Sequence, residues 1–232
     1  MNPKKNLPLV TIITIVHNNV KTIRTAIQSV AHQSYENIEH IVIDNCSNDG
    51  TLDAIYQQEN DISLIISEPD DGIYHALNKG IKLANGEIVG FLNSDDVLKN
   101  RNTITTIVQN LIDGGNEAVY GDLQYFSKQR PNQITRSWKS NNYTSKKFRQ
   151  GWMPPHPTFY TYKDTYFKYG FFDVSYKISS DYDMMLRLLY EKKIKAKYIP
   201  EVLVKMQRGG VSNQNLRSIM FKSKEDFLIM KK

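Results

Sequence analysis

The chain has 232 residues, 40% of them hydrophobic and 23% charged, which suits one large soluble globular unit with a sizeable core. Its single cysteine, Cys46, excludes an internal disulfide framework and a cysteine-built zinc site, and fits a reducing compartment. The net charge of +6 is a property of the C-terminal segment, because residues 1–191 hold 19 basic and 21 acidic side chains while residues 192–232 hold 11 and 3.

In chain order, residues 9–16 are apolar and β-branched, a buried strand, and Ile23, Ala26, Ile27 and Val30 recur at helical spacing to about residue 33. Residues 39–44 form a second strand, 51–58 a helix and 62–67 a third strand. Ile73, Ala76, Leu77, Gly80, Ile81 and Ala84 trace one helical face, followed by a fourth strand at 87–92, a helix at 102–113 and a strand at 118–121. This βαβαβαβ order predicts a doubly wound α/β fold, a mainly parallel sheet with helices on both faces. Residues 124–170, rich in Tyr, Lys, Asn and Pro, read as surface loops and a groove wall. A helix at 181–191, a strand at 197–206 and a C-terminal helix near 213–230 complete an acceptor-side region. One domain spans 1–232: a ligand-binding half (7–123), a second half (124–212) and a basic C-terminal helix (213–232).

In an open parallel sheet, ligands bind beyond the carboxyl ends of the strands. Polar residues follow each strand there: His17-Asn18-Asn19, Asp44-Asn45, Ser67 through Gly72, and Asn93-Ser94-Asp95-Asp96. Any one of these has an ordinary reading as turn chemistry, but together they describe a crevice for a polar ligand. Asp95 and Asp96 are adjacent carboxylates, hard oxygen donors suited to Mg²⁺ or Mn²⁺ carrying a diphosphate. The loop after the first strand has no glycine, so neither a dinucleotide fingerprint nor a P-loop is present.

Thr11 to Asn18, Ile43 to Thr51, Glu68 to Ile81 and Gly86 to Asp96 are four ordered motifs. They resemble those of the GT-A family 2 glycosyltransferases of bacterial surface-polysaccharide assembly. The resemblance implies a GT-A-like fold and an inverting transfer of a hexose-type sugar from a nucleoside diphosphate, UDP by expectation. The acceptor it implies is a glycan or lipid-linked oligosaccharide. Carried over residue by residue, it assigns Asp44 to the uracil or ribose, and Thr14, His17 and Asn18 to the same end of the donor. Asp70, Gly72, Asn78 and Lys79 fall on the diphosphate-sugar strip, and Asn93, Ser94 and Asp95 on the ribose and diphosphate. Asp96, with Asp95, would ligate the metal. His17 departs from the tyrosine usual there, and Asn93 replaces the first carboxylate of the D-x-D pattern.

In the second half the resemblance makes Asp181 the general base, with Asp183 as the alternative, and puts His156 and Trp152 on the acceptor wall. Arg208, in a glycine-bearing loop, would close over the donor diphosphate. On spacing alone, Asp181 and Asp183 also suit the first turn of a helix as cap and dipole partners. The C-terminal helix mixes large apolar and basic residues, so two readings stay open: a helix resting on an anionic membrane, or a cover for the sheet edge. No stretch approaches the ~18 apolar residues of a spanning helix, and the first eight residues lack the apolar core of a secretory signal. The expectation is a cytoplasmic protein, at most peripheral on the inner membrane face, with no nucleic acid partner. A sugar-nucleotide pyrophosphorylase and a non-catalytic carbohydrate- or nucleic-acid-binding module are the competing functions.

Overall fold

The computed structural model describes residues 7–127, 133–148, 151–207 and 216–231. Strand β1 (Val10–Val16) lies inside the sheet, parallel to β2 (Ile38–Asp44) on one side and to β4 (Ile88–Phe91) on the other. Because both faces of β1 are covered, its sequence is β-branched and mainly apolar throughout rather than an alternation. Ile13, with Ile41 and Phe91 beside it, packs under helix α3 (Ile73–Leu83). Ile12 and Ile88 turn the other way, toward α1 (Ile23–Ala31) and α4 (Thr103–Ile112). Helix α2 (Thr51–Tyr56) covers Val42 through Ala54 and Ile55. Gly80 sets how closely α3 can approach, since a Cβ there would stand 2.6 Å from Ile13 Cγ2.

Among the described residues the sheet has nine strands and runs β3-β2-β1-β4-β8-β6-β9-β5, where β3 is Leu64–Ser67, β5 Val97–Leu98, β6 Ala118–Phe126, β8 Tyr160–Tyr162 and β9 Ala196–Gln207. Strand β7 (Ile134–Trp138) pairs with β6 off this path. Strands β1 to β4, β6 and β9 share one direction, and β5, β7 and β8 oppose it. The mainly parallel α/β expectation therefore holds.

Residues 124–170 do not form the expected run of loops. They include the end of β6, then β7, helix α5 (Ser145–Phe148), β8 and helix α6 (Lys163–Tyr169). These pieces are three to seven residues long, too short for a period to register against their aromatic content. The helix expected at 181–191 begins as α7 (Ser180–Met185) and continues with π geometry through Leu186–Glu191, burying Leu186, Leu188 and Leu189. The C-terminal helix, α8, spans Leu216–Met230.

Candidate active site

The register Val16↔Asp44↔Ser67 brings the carboxyl ends of β1, β2 and β3 level, so their following loops share one edge of the sheet. Hydrogen bonds then stitch these loops together. His17 Nδ1–H donates to the Asn45 carbonyl at 2.8 Å, the Asn18 N–H to Ser47 Oγ at 2.8 Å, and the Asn48 N–H to Asn18 Oδ1 at 2.9 Å. Asn19 links three loops: its N–H donates to Thr51 Oγ1 at 2.8 Å and its Nδ2 to Ser94 Oγ at 2.9 Å. The Asp70 N–H donates to Asn45 Oδ1 at 2.8 Å, which adds the loop after β3. Asp44 and the Asp95-Asp96 pair thus border one continuous polar rim.

Asp44 is fully buried, and its Oδ2 accepts from the Ser47 N–H at 3.0 Å and from Ser67 Oγ–H at 2.7 Å. Its Oδ1 is buried with no hydrogen-bond partner, an acceptor left for a donor group on a ligand. Asp70 repeats the pattern. Its Oδ1 takes Lys79 Nζ at 2.5 Å while its Oδ2 is buried and unpaired, and Lys79 also reaches Glu68 at 2.6 Å. Gly72, just before α3, has a φ of +135°, which a side chain would strain. The loop therefore turns sharply into the helix, whose first N–H groups are open to an anion.

Asp96 is wholly buried. Its Oδ2 accepts from Asn93 Nδ2 at 2.9 Å and its Oδ1 from the Gln207 N–H at the end of β9 at 3.3 Å. Burial, and then the charge of half-buried Asp95, push its carboxyl well above the usual carboxylate range. Two adjacent carboxylates in that condition are stabilised by a divalent cation, and their hard oxygens fit Mg²⁺ or Mn²⁺. Among the described residues no three His, Cys, Asp or Glu side chains gather as a metal site. A cation here would complete its shell from diphosphate oxygens and water, as Mg²⁺ commonly does.

Asp181 lies in the first turn of α7, beside Tyr74 of α3. Its Oδ2 lies 3.0 Å from His156 Nδ1, its Oδ1 accepts from the Tyr182 N–H at 2.9 Å, and the same Oδ1 stands 3.4 Å from Tyr74 Oη. Burial raises its carboxyl, but His156 by hydrogen bond and charge, the Tyr182 N–H and the Lys222 charge outweigh this and hold it below the ordinary value. Asp181 is thus an ionised carboxylate with its side chain 14% exposed, able to accept a proton. Asp183, the alternative, is buried and faces Arg187 at 3.7 Å, whose guanidinium also donates to the Tyr169 and Phe171 carbonyls.

Several expected contacts are placed elsewhere. Thr14 is sealed in the sheet with its hydroxyl 3.0 Å from His40 Nε2, so it does not open onto the crevice. Asn78 clamps the main chain of Phe172, giving Nδ2–H to its carbonyl at 2.9 Å and taking its N–H at 3.0 Å. Asn18 and Ser94 brace the loops, and the Ser94 carbonyl takes the Thr22 hydroxyl at 2.8 Å. Trp152 is half-buried, edge-on to Tyr120 and Phe148. Arg208 lies outside the described residues. Tyr74 carries no functional signal in the sequence, because an aromatic on an apolar helical stripe reads as core.

A sheet of this order, with a polar rim at its carboxyl edge, defines a GT-A-like fold. The family description "Glycosyl transferase family 2" matches residues 11–174, and the chain belongs to that family. It is 30% identical over 182 residues to an uncharacterised glycosyltransferase of Mycobacterium tuberculosis, covering 78% of this chain and 68% of that protein. It is 39% identical over 95 residues to a putative teichuronic acid biosynthesis glycosyltransferase of Bacillus subtilis, 40% of this chain and 38% of that one. Among solved structures it resembles Staphylococcus aureus TarS with UDP-GlcNAc at a TM-score of 0.70 and 17% identity, covering 86% of this chain and 58% of that one. It also resembles a Pyrobaculum calidifontis mannosyltransferase with GDP-Man and Mn²⁺, at a TM-score of 0.70 and 18% identity, over 97% and 64% of the two chains. At such identities the likeness is one of fold.

Proposed function

We propose that the chain transfers a hexose-type sugar, with inversion, from a nucleoside diphosphate donor, UDP first among the candidates, to a hydroxyl of a glycan or lipid-linked oligosaccharide in polysaccharide assembly. The observation that carries this reading is the meeting of the polar rim with a lowered carboxylate, Asp181, through Tyr74 at the start of α3. Asp44 supplies its unpaired oxygen to the base or ribose, and Asp70, Lys79 and the N–H groups after Gly72 border the diphosphate. Asp181 takes the proton of the acceptor hydroxyl as its oxygen bonds to the anomeric carbon, and the bond from that carbon to the leaving phosphate oxygen breaks with its electron pair. His156 holds the carboxylate oriented and ionised. Asp95 and Asp96 would hold a divalent cation, which when bound would neutralise charge on the departing diphosphate.

The ligands held by the two structural neighbours, UDP-GlcNAc and GDP-Man, support a nucleotide sugar as substrate class. The test is a panel of UDP- and GDP-sugars with Mn²⁺, following release of the nucleoside diphosphate. One donor should turn over, and Asp96→Ala and Asp181→Asn should each lose it. Turnover unchanged in both variants, or no turnover of any donor alongside salt-sensitive nucleic-acid binding, would overturn the proposal.

A second feature supports work at a lipid surface. On α8 the outward face carries Met220 (73% exposed), Phe221, Phe227 and Leu228 together with exposed Lys224 and Lys231, while Glu225 and Ile229 point inward. Large apolar side chains interleaved with lysines suit the headgroup region of an anionic bilayer. No described helix is long and apolar enough to cross a membrane. On this reading the enzyme works peripherally at an anionic membrane surface.

A further inference from the structure

We propose that Glu225, on the C-terminal helix, is a positioning residue for Asp181: its carboxylate fixes the main chain that presents the base. The inference rests on Asp181 acting as that base. Glu225 is 6% exposed and uses both oxygens on three consecutive N–H groups. Its Oε1 accepts from Lys177 at 2.8 Å, and its Oε2 from Ile178 and Ser179 at 2.9 Å each. These residues directly precede α7, so one anion gathers the donors at the helix's entrance.

The segment that delivers Asp181 has no strand or helix of its own between Tyr169 and Ser180. Side chains from other elements hold it instead. Asn78 grips Phe172, and Tyr74 donates to the Ile178 carbonyl at 2.5 Å while also touching Asp181. Glu225 takes the N–H of that same Ile178. The peptide units on both sides of Ile178 are therefore bound, one to α3 on the donor side and one to α8. Ile229, fully buried one turn beyond Glu225, anchors α8 in the same core cluster as Tyr74 and Tyr182. Replacing the carboxylate leaves three donors, the Ser179 N–H buried and the other two partly so, facing a neutral or missing acceptor, and residues 177–179 lose their fixed path.

The test uses the full chain with Glu225→Gln, Glu225→Ala, Asp181→Asn and the Glu225→Gln/Asp181→Asn double variant. It measures kcat with the donor that turns over, the Kd of UDP with Mn²⁺, and amide hydrogen exchange over residues 173–185. In Glu225→Gln we expect kcat to fall at least tenfold, UDP affinity to stay within twofold, and exchange to rise at 177–181 while the sheet stays protected. Glu225→Ala should go further. In the double variant, Glu225→Gln should cost nothing beyond Asp181→Asn, because positioning an absent base has no value. A general loss of folding would lower UDP binding and add to Asp181→Asn, and that pattern overturns the inference. So does an unchanged kcat in Glu225→Gln while Asp181→Asn is inactive. If Asp181→Asn keeps full activity, the base assignment fails and the inference fails with it.

Discussion

His156 Nδ1 stands 3.0 Å from Asp181 Oδ2, joining a histidine in a proline-framed turn to the first helical turn of α7. The contact gives the histidine a function beyond lining an acceptor wall. Together with the Tyr182 N–H, it reverses the effect of burial on the carboxylate. In His156→Ala burial prevails, so the Asp181 carboxyl rises. A base works only when deprotonated, so the acid limb of the kcat/KM profile should move to higher pH. An acid limb that does not move would remove His156 from this role.

Asp181 and Asp183 should separate cleanly. Asp181→Asn should lower turnover by about 10²–10⁴-fold with donor binding intact. Asp183→Asn removes the carboxylate facing Arg187 and should cost about 1–3 kcal/mol of stability, read by urea unfolding, with turnover per folded molecule retained. The opposite pattern would exchange their roles.

Chelation by EDTA should weaken UDP binding at least tenfold by calorimetry, and Mn²⁺ should restore it. Asp96→Asn should bind UDP equally weakly with or without Mn²⁺. Metal-independent binding in the native chain would count against a cation at Asp95-Asp96.

His40 is buried with its pKa lowered to about 4, and its Nε2 meets Thr14 Oγ1. The folded state holds it neutral and the unfolded chain does not. Its contribution is therefore complete above pH ~6.5 and is lost as pH falls toward 4, on the order of 3 kcal/mol in all. Urea unfolding at pH 7 and pH 4.5 should show this loss, and His40→Gln should flatten it.

Vesicles rich in anionic lipid should co-sediment the protein, and neutral vesicles should not. Phe227→Ser with Lys224→Glu should abolish sedimentation while leaving turnover of a soluble donor unchanged. Equal sedimentation on both lipids would refute a charge-guided surface.

The donor-side strands were legible in the sequence because β1, β2 and β4 are largely buried and each carries a core of Ile and Val, Ile41-Val42-Ile43 in β2. The rim was legible because each run stops at polar residues. What escaped notice was short or non-local. β5 has two residues and β8 three, below the length at which alternation registers. Tyr74 and Glu225 matter through partners 104 and 46–48 positions away, and no local pattern encodes that. Asn78 illustrates the reverse error: its motif position suggested the donor, while its amide matches the two polar groups of the Phe172 backbone.

Strand β8 sits between β4 and β6, and β5 hydrogen-bonds to β9 at the far border of the sheet. Each portion of the polypeptide therefore completes the ladder of the other. Neither is a cassette that recombination could lift out and graft, since an isolated N-terminal fragment would expose the open edge of β4. New sugar or acceptor preferences in such a scaffold must arise by substitution within loops, with the woven backbone inherited whole.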